Sequence, residues 1–277
     1  MTTTTLDRTV GTGTGAEKAT GGDYFRQFAV IFITLLTISV NGLANALPLN
    51  GIETGKISDK YFTLFTPAGY VFAIWGVIYL GMLAYMVYQA LPSQRTNPRL
   101  RAIGWWYVLG NLANTVWIFC WHWELLLPTV VLIATLLICL VMAYLRLAPA
   151  RQAPGVVSRG EWWTTHLTFS IYTAWATVAT VANVCVYLVS LGWDGGFLSP
   201  AVWTAILLLI ATGIGLLFLT RWRDIAYVAV LVWAFVGIAV NHSDVTLVAW
   251  TAAALAAVLV VLAIVTLARG RQTAKSI

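Results

Sequence analysis

The alternation of long apolar runs with short polar connections leaves this chain very few possible folds. Eight runs are each close to the roughly 20 residues that an α-helix needs to cross a bilayer. Their predicted ranges are 26–48, 68–91, 102–122, 126–146, 163–190, 200–220, 225–241 and 246–268. Charged residues make up only 9% of the chain, whereas soluble domains contain about 25%. The chain is therefore predicted to be an all-α integral membrane protein with eight transmembrane helices.

The basic residues predict how these helices are oriented. Because eight spans place both termini on one side, only Lys56 and Lys60 of the 16 lysines and arginines fall on the opposite side. Positive residues near span ends are retained in the cytoplasm, so both termini are expected to be cytoplasmic, in a bacterial plasma membrane. The net charge of +6 reflects this topology, and no nucleic-acid partner is predicted.

Composition divides the chain into four segments. Residues 1–23 are rich in Thr and Gly, lack the apolar run of a signal peptide and are expected to form a disordered cytoplasmic tail. Residues 24–191 contain the first five spans and residues 192–268 the last three. Residues 269–277 are predicted to form a basic cytoplasmic tail.

The spans lack the residues that several membrane functions require. None contains a lysine, which excludes a retinal Schiff base, and the chain has no HExxH motif and no pair of intramembrane carboxylates. His122 and His166 are predicted to lie toward opposite faces of the membrane, so they offer neither a shared metal site nor a matched pair of haem ligands. No catalytic residue and no metal site are predicted, and a membrane enzyme is disfavoured.

The fifth run carries an unusual stripe of side chains. On an α-helix, Tyr172, Trp175, Ala179 and Asn183 fall within about 80° of one another. The stripe offers a phenol, an indole, a small gap and an amide, and the gap would let a flat ligand approach the helix. Helix-on-helix packing, with small residues and an amide at the contact, is the alternative interpretation.

Two other runs carry comparable stripes. Their members are Phe72, Trp75, Tyr79 and Met82 in the second run, and Gly110, Asn114, Trp117 and Trp121 in the third. Further amides occur in apolar surroundings, at Asn41, Asn45, Asn111 and Asn241. One such stripe is ordinary for a helical core, but three that converge predict a pocket for a flat, largely apolar ligand with a few polar edges.

Three segments resemble helices of the TspO/MBR family, the tryptophan-rich sensory proteins that include the mitochondrial translocator protein. Residues 67–79 (PAGYVFAIWGVIY) are similar to that family's second helix, roughly PPxWVFxxxWxxLY. Residues 110–121 (GNLANTVWIFCW) are similar to its third helix, QLxxNxxWxxxFF, and residues 171–183 (IYTAWATVATVAN) to its fifth, PYxxWxxFAxxLN. Residues 24–191 thus resemble the family's five-helix core, and residues 192–268 are predicted to be three additional helices.

The resemblance implies a receptor or sensor whose pocket binds a tetrapyrrole, such as a porphyrin or haem, or a sterol-like lipid. No cofactor is required, and the porphyrin or haem would be the ligand. In some bacterial members, light-dependent porphyrin breakdown involves tryptophans that correspond to Trp75 and Trp175. The ligand-binding residues expected from the stripes and the resemblance together are Trp75, Tyr79, Asn114, Trp117, Tyr172, Trp175, Ala179 and Asn183.

The sequence leaves one rival class open. Eight spans also suit a small-molecule transporter built from two four-helix halves with a central site. The expected partners are the lipid bilayer and the tetrapyrrole or sterol-like ligand, and a homodimer is left open as a further partner. Gly213, Gly215 and the alanine-rich eighth run allow the close helix approach that a dimer contact or packing on the core would use.

Overall fold

The computed structural model describes residues 18–47, 49–153 and 155–275, with side chains as far as residue 269. Within these ranges every long regular element is helical. The α-helices are α1 Gly21–Ala46, α2 Thr54–Lys60, α3 Ile74–Ala90, α4 Pro98–His122, α5 Leu126–Gln152, α6 Arg159–Glu161, α7 Leu167–Ser190, α8 Pro200–Trp222, α9 Ile225–Asn241 and α10 Thr246–Lys275. A 3₁₀ segment, Gly69–Ala73, leads into α3, and a π-helical segment, Trp162–His166, joins α6 to α7.

Six of the described helices are long and apolar enough to cross a membrane. They are Gly21–Ala46, Gly69–Ala90, Leu126–Gln152, Arg159–Ser190, Pro200–Trp222 and Thr246–Arg269. Helix α9 is apolar but only 17 residues long, and α4 is not among the six. Helix α4 buries its amides and its terminal His122 inside the protein, which lowers its hydropathy without making its outer face polar. The total of eight spans stays a prediction.

Several boundaries differ from those expected. The predicted disordered tail lies mostly outside the described residues, since 1–17 are not described, and α1 begins at Gly21. Thr20 and Asp23 form a capping box there, which satisfies the first backbone N–H groups of the helix. Helix α10 continues into the predicted basic tail as far as Lys275, and residues 276–277 lie outside the described part. Helix α2 lies in the polar connection between the first two predicted spans, where no helix was predicted.

Local signals account for where the helices begin. Asn97, Ser199 and Asp224 each accept a hydrogen bond from a backbone N–H in the first turn of α4, α8 and α9. Proline occupies the first turn of α4 and of α8, where its missing N–H costs nothing. These caps and prolines fix the residue at which each helix begins.

Helix α9, from the C-terminal part of the chain, packs directly on the segment that enters α3. The Ala68 N–H donates to the Gly237 oxygen at 3.1 Å, and the Trp233 indole donates to the Val71 oxygen at 3.0 Å. A Cβ on Gly237 would lie 2.2 Å from the Val71 side chain, so only glycine permits this approach. The last three helices therefore share one hydrophobic core with the first five.

A buried polar network joins the opposite end of the bundle. Asp224, 1% exposed, forms an ion pair with Arg151 at 3.0 Å. Its carboxylate also accepts hydrogen bonds from Tyr144 at 2.7 Å and from Ser170 at 2.6 Å. The Tyr227 backbone N–H is a further donor at 3.1 Å. These contacts connect α5, α7 and α9 through one carboxylate.

Candidate ligand-binding site

A cavity of about 520 Å³ lies in the half of the bundle that faces α2. Helices α3, α4 and α7 form its aromatic walls, and the ends of α1 and α9 together with α2 form its mouth. Its lining residues are Asn41, Asn45, Thr54, Gly55, Ser58, Asp59, Thr66, Pro67, Gly69, Phe72, Trp75, Tyr79, Trp117, Ile118, Trp121, Ile133, Trp175, Val178, Ala179, Ala182, Asn183, Val186 and Asn241. The volume suits a drug-sized or larger ligand.

A second space has little chemistry to offer. This groove, of about 740 Å³, lies between α9 and α10 on the outside of the bundle. Apart from Ser243, its lining consists of valines and alanines, and it contains none of the residues that the sequence singled out. The inner cavity is therefore the candidate site.

Most of the residues expected to bind a ligand surround this cavity. Those in its wall are Trp75, Tyr79, Trp117, Trp175, Ala179 and Asn183. The remaining two, Asn114 and Tyr172, are not among the described lining residues and lie behind the wall. The Asn114 amide donates to the Tyr172 hydroxyl at 2.9 Å, and that hydroxyl donates to Asn111 at 3.3 Å. Because Trp75 packs edge-on against the Tyr172 ring at 6.1 Å, this pair supports the wall.

The aromatic wall forms a corner. Trp75 stacks on Tyr79 with ring centroids 5.6 Å apart and an interplanar angle of 28°. The Trp175 ring is nearly perpendicular to Trp75, at 6.4 Å and 85°, and to Phe72, at 5.8 Å and 89°. Edge-to-face packing of this kind fixes the ring orientations, so the corner is formed before any ligand enters.

Trp175 contributes a polar atom without a partner. Its side chain is 2% exposed, and its indole Nε1 has no hydrogen-bond acceptor among the described residues. Leaving such a donor unsatisfied costs about 1–3 kcal/mol. The Nε1 atom is itself buried in this structure, so an acceptor on a ligand would recover that free energy only after a rotation of the indole or a shift of its neighbours.

Asn183 has a structural role in addition to its place in the wall. Its Oδ1 accepts a hydrogen bond from the Trp117 indole at 2.8 Å, and its Nδ2 donates to the Thr129 hydroxyl at 2.9 Å. Trp117 in turn stacks on Trp121 at 5.2 Å. The amide thereby holds α4, α5 and α7 together and sets the plane of one indole wall.

The mouth of the cavity includes residues that the sequence did not assign to the site. Asn41, Asn45 and Asn241 lie there, beside α2. Their signal in the sequence was an amide in apolar surroundings, but nothing local showed that the end of the seventh run meets that of the first. The Asn241 amide donates to the Thr66 oxygen at 3.1 Å, which anchors the mouth to the segment before α3.

Helix α2 covers the mouth and is fastened at both ends. At its start, the Thr54 hydroxyl contacts His122 Nε2 at 3.0 Å, and the Thr54 oxygen accepts a hydrogen bond from Trp121 at 3.1 Å. At its end, the Lys60 ammonium contacts the Glu124 carboxylate at 2.5 Å. Between these contacts Ile57 is fully buried in a second, smaller hydrophobic cluster, together with Trp121, Leu126 and Val186.

The contact with Lys60 changes the pKa of the Glu124 carboxyl. The Lys60 ammonium, and then the Tyr61 hydroxyl at 2.6 Å, hold the pKa of the Glu124 carboxyl below its ordinary value. The same contact raises the pKa of Lys60. Lys60 and Glu124 are therefore both charged at neutral pH.

Acidification is expected to loosen this end of α2. Because the folded-state pKa of Glu124 is lowered, its contribution is complete above the ordinary pKa of about 4.3 and is lost as pH falls through the lowered value. Ligand dissociation should be constant from about pH 8 to pH 5 and should become about two- to fivefold faster once the pH falls below the lowered pKa of Glu124. Stopped-flow release measures this rate. Glu124→Gln should release ligand faster than the parent from about pH 8 to pH 5 and at about the same rate once Glu124 is protonated in the parent, and equal pH profiles for both proteins would contradict the prediction.

One comparison with known proteins finds a match. The family model described as TSPO-like protein matches residues 27–265. The match includes the three C-terminal helices that the sequence analysis took for additions to the family's core, and it therefore covers α9 and Asn241. No curated protein and no solved structure matches the chain significantly.

Proposed function

This chain belongs to the TSPO-like protein family, and from that premise we propose that it is a membrane receptor or sensor for a flat, apolar ligand. The ligand proposed is a tetrapyrrole, such as a porphyrin or haem, or a sterol-like lipid. It would lie in the cavity between α3, α4 and α7, with its polar edge toward the mouth under α2.

The observation that supports this function best is the unpaired indole N–H in an aromatic wall. Trp175 is buried and lines an open space, and its donor has no described partner. In a core that only packs helix on helix, such a donor would cost stability with nothing in return. In a binding site the cost is offset when the indole turns this N–H toward a ligand acceptor.

The shape of the cavity also fits a flat molecule. Two perpendicular planes, the Trp75–Tyr79 stack and the Trp175 ring, allow one face contact and one edge contact with a planar ring system. Ala179 leaves the room beside Trp175 that such a ring needs. No redox or group-transfer step is proposed.

Titration with protoporphyrin, followed by quenching of tryptophan fluorescence, tests the function. Trp175→Phe keeps an aromatic ring but removes the N–H, so affinity should fall about tenfold, which is the worth of one buried hydrogen bond of about 1.4 kcal/mol. Asn183→Ala should weaken binding as well, because it releases the Trp117 indole.

A matched control comes from the outer surface. Trp250 on α10 is 73% exposed, and Trp250→Phe should bind as the parent protein does. If Trp175→Phe and Asn183→Ala both bind as tightly as the parent, the ligand site is elsewhere and the proposed function loses its support.

A further inference from the structure

The end of the bundle that contains Asp224, the basic end, exposes cations but no carboxylate among the described residues. Its three described carboxylates are buried, and each forms an ion pair with an arginine; the pairs are Asp23–Arg101, Glu161–Arg99 and Asp224–Arg151. Four other arginines of this end are exposed and form no ion pair within the described part of the chain; they are Arg146, Arg159, Arg221 and Arg223. The acids are thus neutralised inside the protein, and the surface stays positive.

Arg221 continues a face of α8 that the bundle leaves uncovered. Ile210 and Leu217 on that face are 55% and 54% exposed. At about 100° per residue, Arg221 lies within about 40° of both. Because α8 is apolar and long enough to cross a membrane, this face is the one that lipid tails contact, and Arg221 lies where the tails give way to head groups.

The turn after α8 brings a second arginine to the same level. Trp222 separates Arg221 from Arg223, and its ring packs edge-on against Tyr144 at 5.4 Å. Tryptophan at the end of a span is typical of head-group depth. The Gln152 amide donates to the Arg221 oxygen at 2.7 Å, so the end of α5 supports the turn. Both guanidinium groups therefore extend from a backbone that is fixed at the level of the head groups.

The nearest carboxylate in the sequence does not neutralise these two arginines. Asp224 follows Arg223 directly, but its side chain is 1% exposed and pairs with Arg151 inside the bundle. The same carboxylate accepts hydrogen bonds from Tyr144 and Ser170. An anion that pairs with the exposed guanidinium groups must therefore come from outside the described part of the protein.

The backbone of Arg223 has a conformation that favours glycine. Its φ of 51° and ψ of 38° are left-handed. The position that ends a helix in this conformation is usually glycine, because a Cβ is strained there. The chain keeps a large cation where glycine would cost less, and strain of this kind is found at sites where the side chain has a function.

We propose that Arg221 and Arg223 bind the phosphate of an anionic phospholipid whose acyl chain lies along Ile210 and Leu217. Guanidinium groups form paired, charge-assisted hydrogen bonds with phosphate oxygens. One basic residue at this depth favours an anionic lipid about fivefold. A lipid fits better than free phosphate, because the cations end an apolar face that a soluble anion would leave uncovered. The proposal does not depend on the ligand of the inner cavity.

Native mass spectrometry of the full chain in detergent, titrated with phosphatidylglycerol or phosphatidylcholine of the same acyl chains, tests the proposal. The first phosphatidylglycerol should bind at least about tenfold more tightly than the first phosphatidylcholine. Arg221→Gln and Arg223→Gly should each weaken phosphatidylglycerol binding about fivefold and leave phosphatidylcholine binding unchanged. Arg223→Lys keeps the charge and should stay within about threefold of the parent.

Two controls separate lipid binding from folding and from overall charge. Arg223→Gly relieves the left-handed strain, so its unfolding temperature should equal or exceed that of the parent although its affinity for phosphatidylglycerol falls. Arg159→Gln removes another exposed cation of the basic end, on the side of α3, where Ser158 contacts Tyr88 at 3.3 Å. Its affinity for phosphatidylglycerol should stay within about twofold of the parent.

Three results would overturn the proposal. Equal affinity for the two lipids, or unchanged phosphatidylglycerol affinity in the Arg221→Gln/Arg223→Gly double variant, would show that these arginines only orient the protein in the membrane. A loss in Arg159→Gln as large as in Arg221→Gln would show diffuse attraction to the whole basic end. Displacement of phosphatidylglycerol by millimolar inorganic phosphate would show that the site takes a free anion.

Discussion

Ala179→Phe should reduce ligand affinity at least about 100-fold, close to 2.8 kcal/mol, while the protein stays folded. Ala179 lines the cavity beside Trp175 on α7. A phenyl ring at this position would project into open space and occupy the volume that a flat ligand needs. Because the ring fills a cavity and displaces no packed neighbour, the free energy of unfolding should change by less than about 1 kcal/mol.

The measurements are a ligand titration and a thermal unfolding curve on the same preparation. Ala254 on α10 is exposed and lines neither cavity nor groove, so Ala254→Phe adds the same ring without consequence for binding. Retained affinity in the folded Ala179→Phe protein would show that the ligand does not use the inner cavity. Loss of affinity together with loss of the folded state would instead indicate that the space collapses around Ala179.

The second large effect is expected far from the site, at Asp224. Asp224→Ala should lower the free energy of unfolding by about 3–5 kcal/mol, because it leaves the Arg151 guanidinium buried without its partner. The side chain of Arg151 is only 8% exposed, so water cannot replace the carboxylate. Tyr144 and Ser170 also lose their acceptor, and α9 loses its N-terminal cap.

Graded variants identify the cause. Asp224→Asn keeps an acceptor and the cap but loses the charge, so it should cost less than Asp224→Ala. Asp244→Ala, at an exposed aspartate outside the network, should stay within about 0.5 kcal/mol of the parent. Denaturant unfolding in detergent provides the comparison. A cost below about 1 kcal/mol for Asp224→Ala would mean that the network is not a principal contact among α5, α7 and α9.

The two effects occur at opposite ends of the same bundle. The Asp224 network fixes α5, α7 and α9 at one end, and at the other end α9 reaches Pro67, Val71 and the cavity mouth. Helix α9 thus contributes to stability through Asp224 and to the site through Asn241. Under the proposed function, this double role would give the last three helices a part in ligand binding that a five-helix core would lack.

Helical periodicity in the sequence predicted part of the candidate site. The stripes of Trp75 and Tyr79 and of Trp175, Ala179 and Asn183 follow from helical periodicity alone, and all five line the cavity. Whether they contact a ligand stays a prediction. Tyr172 belongs to the same stripe as Trp175, yet it lies behind the wall. The position of a residue on a helix predicts the direction of its side chain only to within tens of degrees. Whether that side chain reaches the cavity depends on its neighbours, and here the Trp75 ring packs against Tyr172 and lines the cavity in its place.

The sequence by itself determined the long helices, although not the short α2, because an apolar run of sufficient length, with its caps and prolines, specifies a helix through contacts within a few residues. It also determined the kind of side chain available for a site. Three arrangements were decided by the tertiary structure alone. Gly237 approaches Val71, Asn241 lines the same cavity as Asn41 and Asn45, and the indole N–H of Trp175 stays without an acceptor. Each of these arrangements depends on segments far apart in the chain, and on which partner a polar atom finds when the helices pack. Hydropathy and periodicity carry no information about that choice.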